Sequence, residues 1–181
     1  MSIKLEPCRS EHLAKARALY YSAFPSEERA PWWVLKRRAK QGRAELLAAV
    51  GAGQFAGLAY VVTLNDMVYL FYLAVEENRR GRGTGSEILT ELKKKYSGKR
   101  LYLSREQLDS NAENYPQRES RYRFYLSNGF TDMGCCIKES TVTYDVMGVG
   151  GSVTPEEYAQ LMKSWSGRFV GLFFKARLFY K

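Results

Sequence analysis

From Met67 to Val75 the chain reads Met-Val-Tyr-Leu-Phe-Tyr-Leu-Ala-Val, apolar on both faces if it is extended. A strand of that kind must be covered on both sides, so it belongs at the centre of a layered α/β structure. It ends in a charged turn. Three glycines at alternate positions follow, Gly81, Gly83 and Gly85, and then an apolar-periodic segment opens. The order is strand, glycine-rich loop, helix. Such a junction gathers backbone N–H groups and the positive end of a helix dipole at one spot, which suits a phosphate group. Glycine lets the ligand come up against the backbone.

Around this unit the pattern predicts a regular alternation. Ser10 can cap a helix from Glu11 to about Ala23, with Leu13, Ala16, Ala18, Leu19 and Tyr20 as its apolar stripe. A proline-bracketed segment, Phe24 to Pro31, leads to a second helix over Trp32 to Gln41, stopped by Gly42. Strands over Glu45 to Val50 and Phe55 to Leu64 flank a hairpin turn, and Asn65-Asp66 turns the chain into the central strand. After the glycine loop a helix is expected over roughly Gly83 to Tyr96, then a strand over Arg100 to Ser104, parallel to its predecessor by a right-handed crossover. A polar, irregular stretch from Arg105 to Pro116 precedes a helix over Gln117 to Ser127. A strand then runs from Phe130 to about Val146. Thr154-Pro155-Glu156-Glu157 starts a helix to about Ser164, and Arg168 to Tyr180 reads as a last strand.

Composition sets the limits. At 181 residues the chain suits one domain, residues 1–181, with a sizeable core. No stretch approaches the ~20 apolar residues of a membrane span, and the first residues lack a signal peptide's apolar core. A cytoplasmic protein with no membrane partner is the expectation. Three cysteines without metal-type spacing and a single histidine, His12, argue against a zinc site or a serine–histidine triad, so no metal is expected. The net charge of +9 points to an anionic partner: nucleic acid, acidic lipid or a phosphorylated cofactor. The basic residues are dispersed, and the Arg79 to Arg82 group stands apart because it lies inside the glycine loop.

Two phosphate motifs can be tested directly. A P-loop ends in Gly-Lys-Ser/Thr, and Gly85-Ser86-Glu87 has no lysine. A dinucleotide-binding fingerprint needs Gly-x-Gly-x-x-Gly in a first strand–helix turn, and here the third spacing is wrong and antiparallel hairpins come first. Both fail. A third pattern fits: Arg80-Gly81-Arg82-Gly83-Thr84-Gly85 after a hydrophobic strand, then Phe124-Tyr125-Leu-Ser-Asn-Gly129-Phe130 at the end of the next helix but one strand. The chain resembles the GNAT superfamily of acyl-CoA N-acyltransferases, whose motifs are Arg/Gln-x-x-Gly-x-Gly/Ala and Tyr-x-x-x-Gly-Phe in that order.

The resemblance implies a mixed, mostly antiparallel central sheet with one parallel pair that splays apart, and helices on both faces. It implies acetyl-CoA as cosubstrate and transfer of an acetyl or other short acyl group to a primary amine by direct attack. The backbone N–H groups from Arg80 to Ser86 (Gly81, Arg82, Gly83, Thr84 and Gly85 between them) would receive the pyrophosphate, with charge from Arg82 or Arg80. Leu73, Ala74 and Val75 would pair with the pantetheine arm as a further strand would, and backbone N–H groups could stabilise the thioester oxyanion. A free alkylamine, with a pKa of roughly 10, must lose a proton before it attacks. Glu106, Glu76, Glu77, Glu27 and Glu28 are the candidates for taking it, with Glu106 favoured. The departing thiolate, pKa roughly 8.5, benefits from a proton donor, and Tyr125 fits that place. Where the family often carries asparagine, seven residues before this tyrosine, the chain has Arg118, which could meet phosphate instead.

The opposing reading is a module of the same fold that binds coenzyme A, nucleic acid or a ribosomal surface without catalysis. Nucleic acid is disfavoured because no RNA-recognition aromatic signature is present. The acceptor amine is left open, and the last strand could pair across a homodimer.

Overall fold

The computed structural model describes residues 2–139, 142–170 and 176–181, with the side chains of residues 168–170 outside the description. Five helices and eight strands are present among them: β1 (Ile3–Pro7), α1 (Ser10–Ala23), α2 (Trp32–Lys40), β2 (Glu45–Gly51), β3 (Gln54–Leu64), β4 (Met67–Val75), α3 (Thr84–Lys95), β5 (Arg100–Glu106), α4 (Tyr115–Ser127), β6 (Thr131–Glu139), β7 (Val142–Val149), α5 (Pro155–Val170) and β8 (Ala176–Tyr180). The strand order is β1-β2-β3-β4-β5-β7-β6-β8, mostly antiparallel, with β4 and β5 the parallel pair. The chain divides into two compact units: Met1–Val62 with Leu70–Ser97, and Thr63–Tyr69 with Gly98–Lys181.

In the first unit, β2 and β3 are joined by Ala52 and Gly53, both with positive φ, the geometry a two-residue hairpin needs to follow strand twist. β1 pairs antiparallel with β2 over all five of its residues. Sequence reading leaves this strand out, because five residues alternating Ile-Lys-Leu-Glu-Pro carry little apolar signal and Pro7 is tolerated there as an edge residue. α1 begins at Ser10 itself, with Arg9 at the cap position and no side-chain cap bond, so Ser10 does not cap the helix as expected. Ala16, Leu19 and Tyr20 are buried, whereas Ala18 points to solvent, one position off the stripe. α2 stops at Lys40 and Gly42 takes φ +69 beyond it, as its place predicts. Beneath the loop between α1 and α2 the rings of Tyr20, Phe24 and Tyr72 meet at 4.9 to 5.6 Å between centroids. The Tyr72 hydroxyl donates to Glu28 O (2.9 Å) and accepts from Ala30 N (3.0 Å), so the loop is tied to β4.

In the second unit, β4 contributes Met67 to Tyr69, which pair in parallel with Arg100 to Tyr102. β5 continues to Glu106 with β7 along its other edge, two residues beyond the expected end. α4 starts at Tyr115, and Pro116 sits in its first turn, where a missing N–H costs nothing. The expected strand from Phe130 to Val146 is an antiparallel pair, β6 and β7; residues 140 and 141, where they join, lie outside the description. α5 opens with a reciprocal cap: Glu157 N donates to Thr154 Oγ1 (3.2 Å) and Thr154 N to Glu157 Oε2 (2.9 Å), as the sequence indicates. It passes the expected end at Ser164 and breaks at Gly167 (φ +59°, ψ −172°), with a further helical stretch to Val170. Residues 168–170 are therefore helical rather than strand; the expected strand's 171–175 lie outside the description, and β8 covers Ala176–Tyr180.

Candidate functional site

The glycine loop lies in the first unit. Gly81 and Gly83 have φ of +71° and +81°, and Gly83 is the residue on which α3 begins. Only glycine adopts that backbone without strain. A Cβ built on either would meet no atom within 4 Å, so the surface in front of the loop is open. The first intrahelical cap bond is Glu87 N to Gly83 O at 3.0 Å. Helix geometry leaves the N–H groups of Thr84 and Gly85 without intrahelical acceptors. A carboxylate in this first turn would compete with an anionic ligand, but Glu87 Oε2 is taken by Ile3 N at 2.9 Å. Arg80 Nε donates to Val75 O (3.1 Å), which fastens the start of the loop to the end of β4. Arg82 is exposed. The close approach of β3 to β4 depends on Gly57, where a Cβ would stand 2.5 Å from Ala74 O. Leu73 and Val75, though apolar, are half-buried, and Ala74 between them is buried.

The remaining expected site residues lie in the second unit. Glu106 closes β5 with both carboxylate oxygens in use: Oε1 accepts from Asn114 Nδ2 (3.1 Å) and Arg118 Nη2 (3.2 Å), and Oε2 from Arg121 Nη1 (2.8 Å). Arg118 also donates from Nε to Asn114 Oδ1 (2.7 Å) and from Nη1 to Gln107 O (3.0 Å). Its guanidinium is thus committed at three nitrogens to the chain itself. Asn114 and Arg121 carry no motif, and a reading of the sequence passes over them; the spacing of Arg118 and Arg121, one helical turn apart, is the signal that both could reach one carboxylate.

Tyr125 is 9% exposed and stands where α4 ends. Phe130 N donates to Tyr125 O (3.1 Å) and Gly129 N to Leu126 O (2.9 Å), with Gly129 at φ +80. That is a Schellman stop, and its usual apolar contact is made by the Tyr125 and Phe130 rings, 5.9 Å apart. The Tyr-x-x-x-Gly-Phe pattern therefore has a structural meaning in its backbone and ring, and the Tyr125 hydroxyl is a separate matter. Burial pushes that hydroxyl's pKa above the ordinary tyrosine value, with Arg121 acting against it.

Behind this lies a buried polar network. Arg105 Nη2 pairs with Asp145 Oδ2 at 3.1 Å, with the Arg105 guanidinium 4.3 Å from the Tyr122 ring centroid. Asp145 Oδ1 accepts from Gln107 Nε2 (3.0 Å), Cys136 Sγ (3.3 Å) and Lys181 Nζ (3.1 Å). Burial alone would raise the Asp145 pKa; the bonds from Gln107, Lys181 and Cys136 outweigh it and hold the carboxyl below its usual range. Burial and the Asp145 bond raise the Cys136 thiol, and burial pushes Cys135 to about 11, so neither is a ready thiolate. Elsewhere, in the first unit, Glu6, Glu11 and His12 bring three potential ligand atoms within 4.8 Å of one another, with His12 Nε2 3.3 Å from Glu6 Oε1. Among the described residues no helix is long and apolar enough to cross a membrane.

Comparison with known proteins agrees with the fold. No curated protein sequence matches the chain. Solved structures do: the ribosomal-protein-S18-alanine N-acetyltransferase of Escherichia coli (19% identity, TM-score 0.61, covering 85% of this chain and 97% of that one); an aminoglycoside 6′-N-acetyltransferase complexed with coenzyme A (18%, 0.63, 82% and 96%); and Naa50 of Arabidopsis thaliana in complex with the bisubstrate analogue CoA-Ac-MVNAL (20%, 0.59, 82% and 98%). At these identities the likeness is one of fold. A model of the acetyltransferase (GNAT) domain matches residues 30–132, a span that holds the glycine loop, Glu106, Arg118, Tyr125 and Phe130. That match covers more than half of the chain, and the protein belongs to the GNAT acetyltransferase domain family.

Proposed function

We propose that the protein transfers an acetyl group from acetyl-CoA to a primary amine by direct attack of the neutral amine on the thioester. The observation that carries this reading is the loop from Arg80 to Ser86: two glycines in the left-handed region run into a helix start whose surface is open and whose one acidic side chain, Glu87, is bound elsewhere. An anion is what such a loop accepts. In this reading the pyrophosphate of the coenzyme takes the N–H groups of Gly81 to Ser86, with Arg82 and Arg80 adding charge. The peptide-like arm pairs with Leu73 to Val75. A backbone N–H of that strand stabilises the oxyanion.

Tyr125 is the group proposed to donate to the departing sulfur. Its raised pKa keeps its proton in place throughout the neutral range. Full transfer to a thiolate of pKa roughly 8.5 is uphill by about 1.4 kcal/mol per unit of difference, so the hydroxyl assists as a hydrogen-bond donor and the thiolate is protonated by solvent after it leaves. Glu106, bound by three donors, orders the start of α4, and Arg118 serves the same end.

Thiol release from acetyl-CoA, followed across a panel of primary amines, tests the reading. Saturable, amine-dependent release is expected. A protein that binds acetyl-CoA yet releases no thiol above the uncatalysed rate would be a coenzyme-binding module.

A further inference from the structure

The parallel pairing of β4 with β5 ends at Tyr69 and Tyr102. Beyond that point β7 continues along one edge of β5, from Leu103 to Glu106. The side chains of this stretch differ sharply in exposure. Tyr102 (0%), Leu103 (1%) and Arg105 (4%) are buried, whereas Ser104 and Glu106 are half-buried. Tyr102, Ser104 and Glu106 share one face by strand alternation. On that face the Glu106 carboxylate is already committed to Asn114, Arg118 and Arg121. Ser104 is the half-buried polar group on that face that stands outside the Glu106 cluster.

Ser104 is also fixed in place. Its Oγ lies 2.8 Å from the Tyr69 hydroxyl, and either atom can donate. Tyr69 cannot swing: it is 2% exposed, its ring stacks on Tyr102 (5.0 Å, 19°) and meets Tyr158 edge-on (5.9 Å, 78°). A second, independent observation is an unmatched hydroxyl beside this pair. The hydroxyl of Tyr102, a fully buried residue, has no hydrogen-bond partner. Leaving a buried hydroxyl unmatched is costly, so the Tyr102 hydroxyl, on the ring stacked against Tyr69, marks a place where a further polar group completes the bonding.

We propose that Ser104 is the catalytic residue of β5 that accepts a hydrogen bond from the attacking nitrogen of the acceptor amine, and that Tyr69 is its positioning residue. This rests on the acetyl-transfer reading above. A neutral amine keeps N–H bonds while its lone pair attacks; an acceptor on one N–H aims the lone pair at the carbonyl carbon. Tyr69 donates to Ser104 Oγ, which holds the remaining Ser104 lone pair toward the nitrogen. The serine neither gains nor loses a proton overall. The ammonium sheds one proton to solvent before attack. As the C–N bond forms and the C–S bond breaks, the nitrogen loses a second proton to solvent, which returns one to the departing thiolate.

The test is thiol release from acetyl-CoA with glycinamide as acceptor and with water alone, run on the wild type, Ser104→Ala, Ser104→Thr and Tyr69→Phe, with acetyl-CoA affinity measured by calorimetry. Ser104→Ala should lower kcat/KM for glycinamide about tenfold, the worth of one hydrogen bond, while the acetyl-CoA Kd stays within twofold. Ser104→Thr should recover most of the loss. Tyr69→Phe should lower kcat/KM in the same direction, which keeps the test open even if Ser104→Ala fails to fold. Wild-type kinetics in both Ser104→Ala and Tyr69→Phe, or a loss matched by an equal loss of acetyl-CoA affinity, would overturn the assignment of Ser104 alone. A wild-type protein that releases no thiol with either acceptor would overturn the acetyl-transfer reading, and this inference with it.

Discussion

Phe130 donates its backbone N–H to the carbonyl of Tyr125 at 3.1 Å, and the two rings lie 5.9 Å apart. The pair closes α4 by main chain and by packing, and Gly129 between them supplies the left-handed step. A tyrosine and a phenylalanine would serve this stop equally well, since neither the carbonyl nor the ring contact needs a hydroxyl. What tyrosine adds over phenylalanine at position 125 is therefore its hydroxyl alone.

Tyr125→Phe separates the two roles. The substitution keeps the helix stop, so the melting temperature should move little. On the proposed function kcat should fall by about ten- to a hundredfold, the worth of a hydrogen bond to the departing, charged sulfur, with acetyl-CoA affinity almost unchanged. Stopped thiol release with intact affinity, measured side by side, checks it; unchanged kcat would reduce Tyr125 to packing.

Gly83 carries the loop's geometry. With φ at +81° an alanine there costs about 1–2 kcal/mol in backbone strain, and its methyl would point into open space, where the ligand is proposed to approach. Gly83→Ala should still fold, with a modestly lower melting temperature and acetyl-CoA binding weakened by an order of magnitude or more. Calorimetric titration of the folded variant decides this.

Arg118 holds Asn114, Gln107 and Glu106 together. Arg118→Gln should cost roughly 1.5–3 kcal/mol of stability, the range for a hydrogen bond to a charged group, while acetyl-CoA affinity stays within twofold and keeps its salt dependence. Denaturant melts and titrations at two salt concentrations measure both. A flattened salt dependence would mean that Arg118 meets phosphate after all, as the sequence first suggests.

Much of this could be read in advance where a local signal specifies a local structure. The Thr154–Glu157 cap, the Asn65-Asp66 turn and the central strand at Met67 to Val75 follow from short-range chemistry. β1 could not be read the same way, because its pairing partners on β2 lie forty or more residues on and its own five residues are too short and too polar to signal. Glu106 shows the same limit within the site. Its place at a strand end suggests a free base, and only the folded chain brings Arg118 and Arg121 against it. Gly57 is the reverse case: no turn or helix start marks it, and its reason is a carbonyl of a neighbouring strand.

Asp145 sets an acid limit on stability. Its folded pKa lies below the ordinary carboxylate value of about 3.9, because the bonds from Gln107, Lys181 and Cys136 outweigh its burial. The stability it contributes is complete above that pH and is lost as pH falls through the lowered folded value. Asp145→Asn leaves Arg105, 4% exposed, without its counter-charge, so the variant should lose about 3–5 kcal/mol at neutral pH. Its melting temperature should also fall less steeply than that of the wild type below about pH 4. Thermal melts from pH 2 to 7 check both statements.

The central claim is that the Arg80 to Ser86 loop holds the coenzyme's pyrophosphate, and the melting temperature of the wild-type protein against acetyl-CoA concentration tests it most directly. Saturating stabilisation is expected, reaching about 2.7 kcal/mol at a hundred times the Kd, with free coenzyme A acting similarly. An unchanged melting temperature at millimolar acetyl-CoA and millimolar coenzyme A would contradict it.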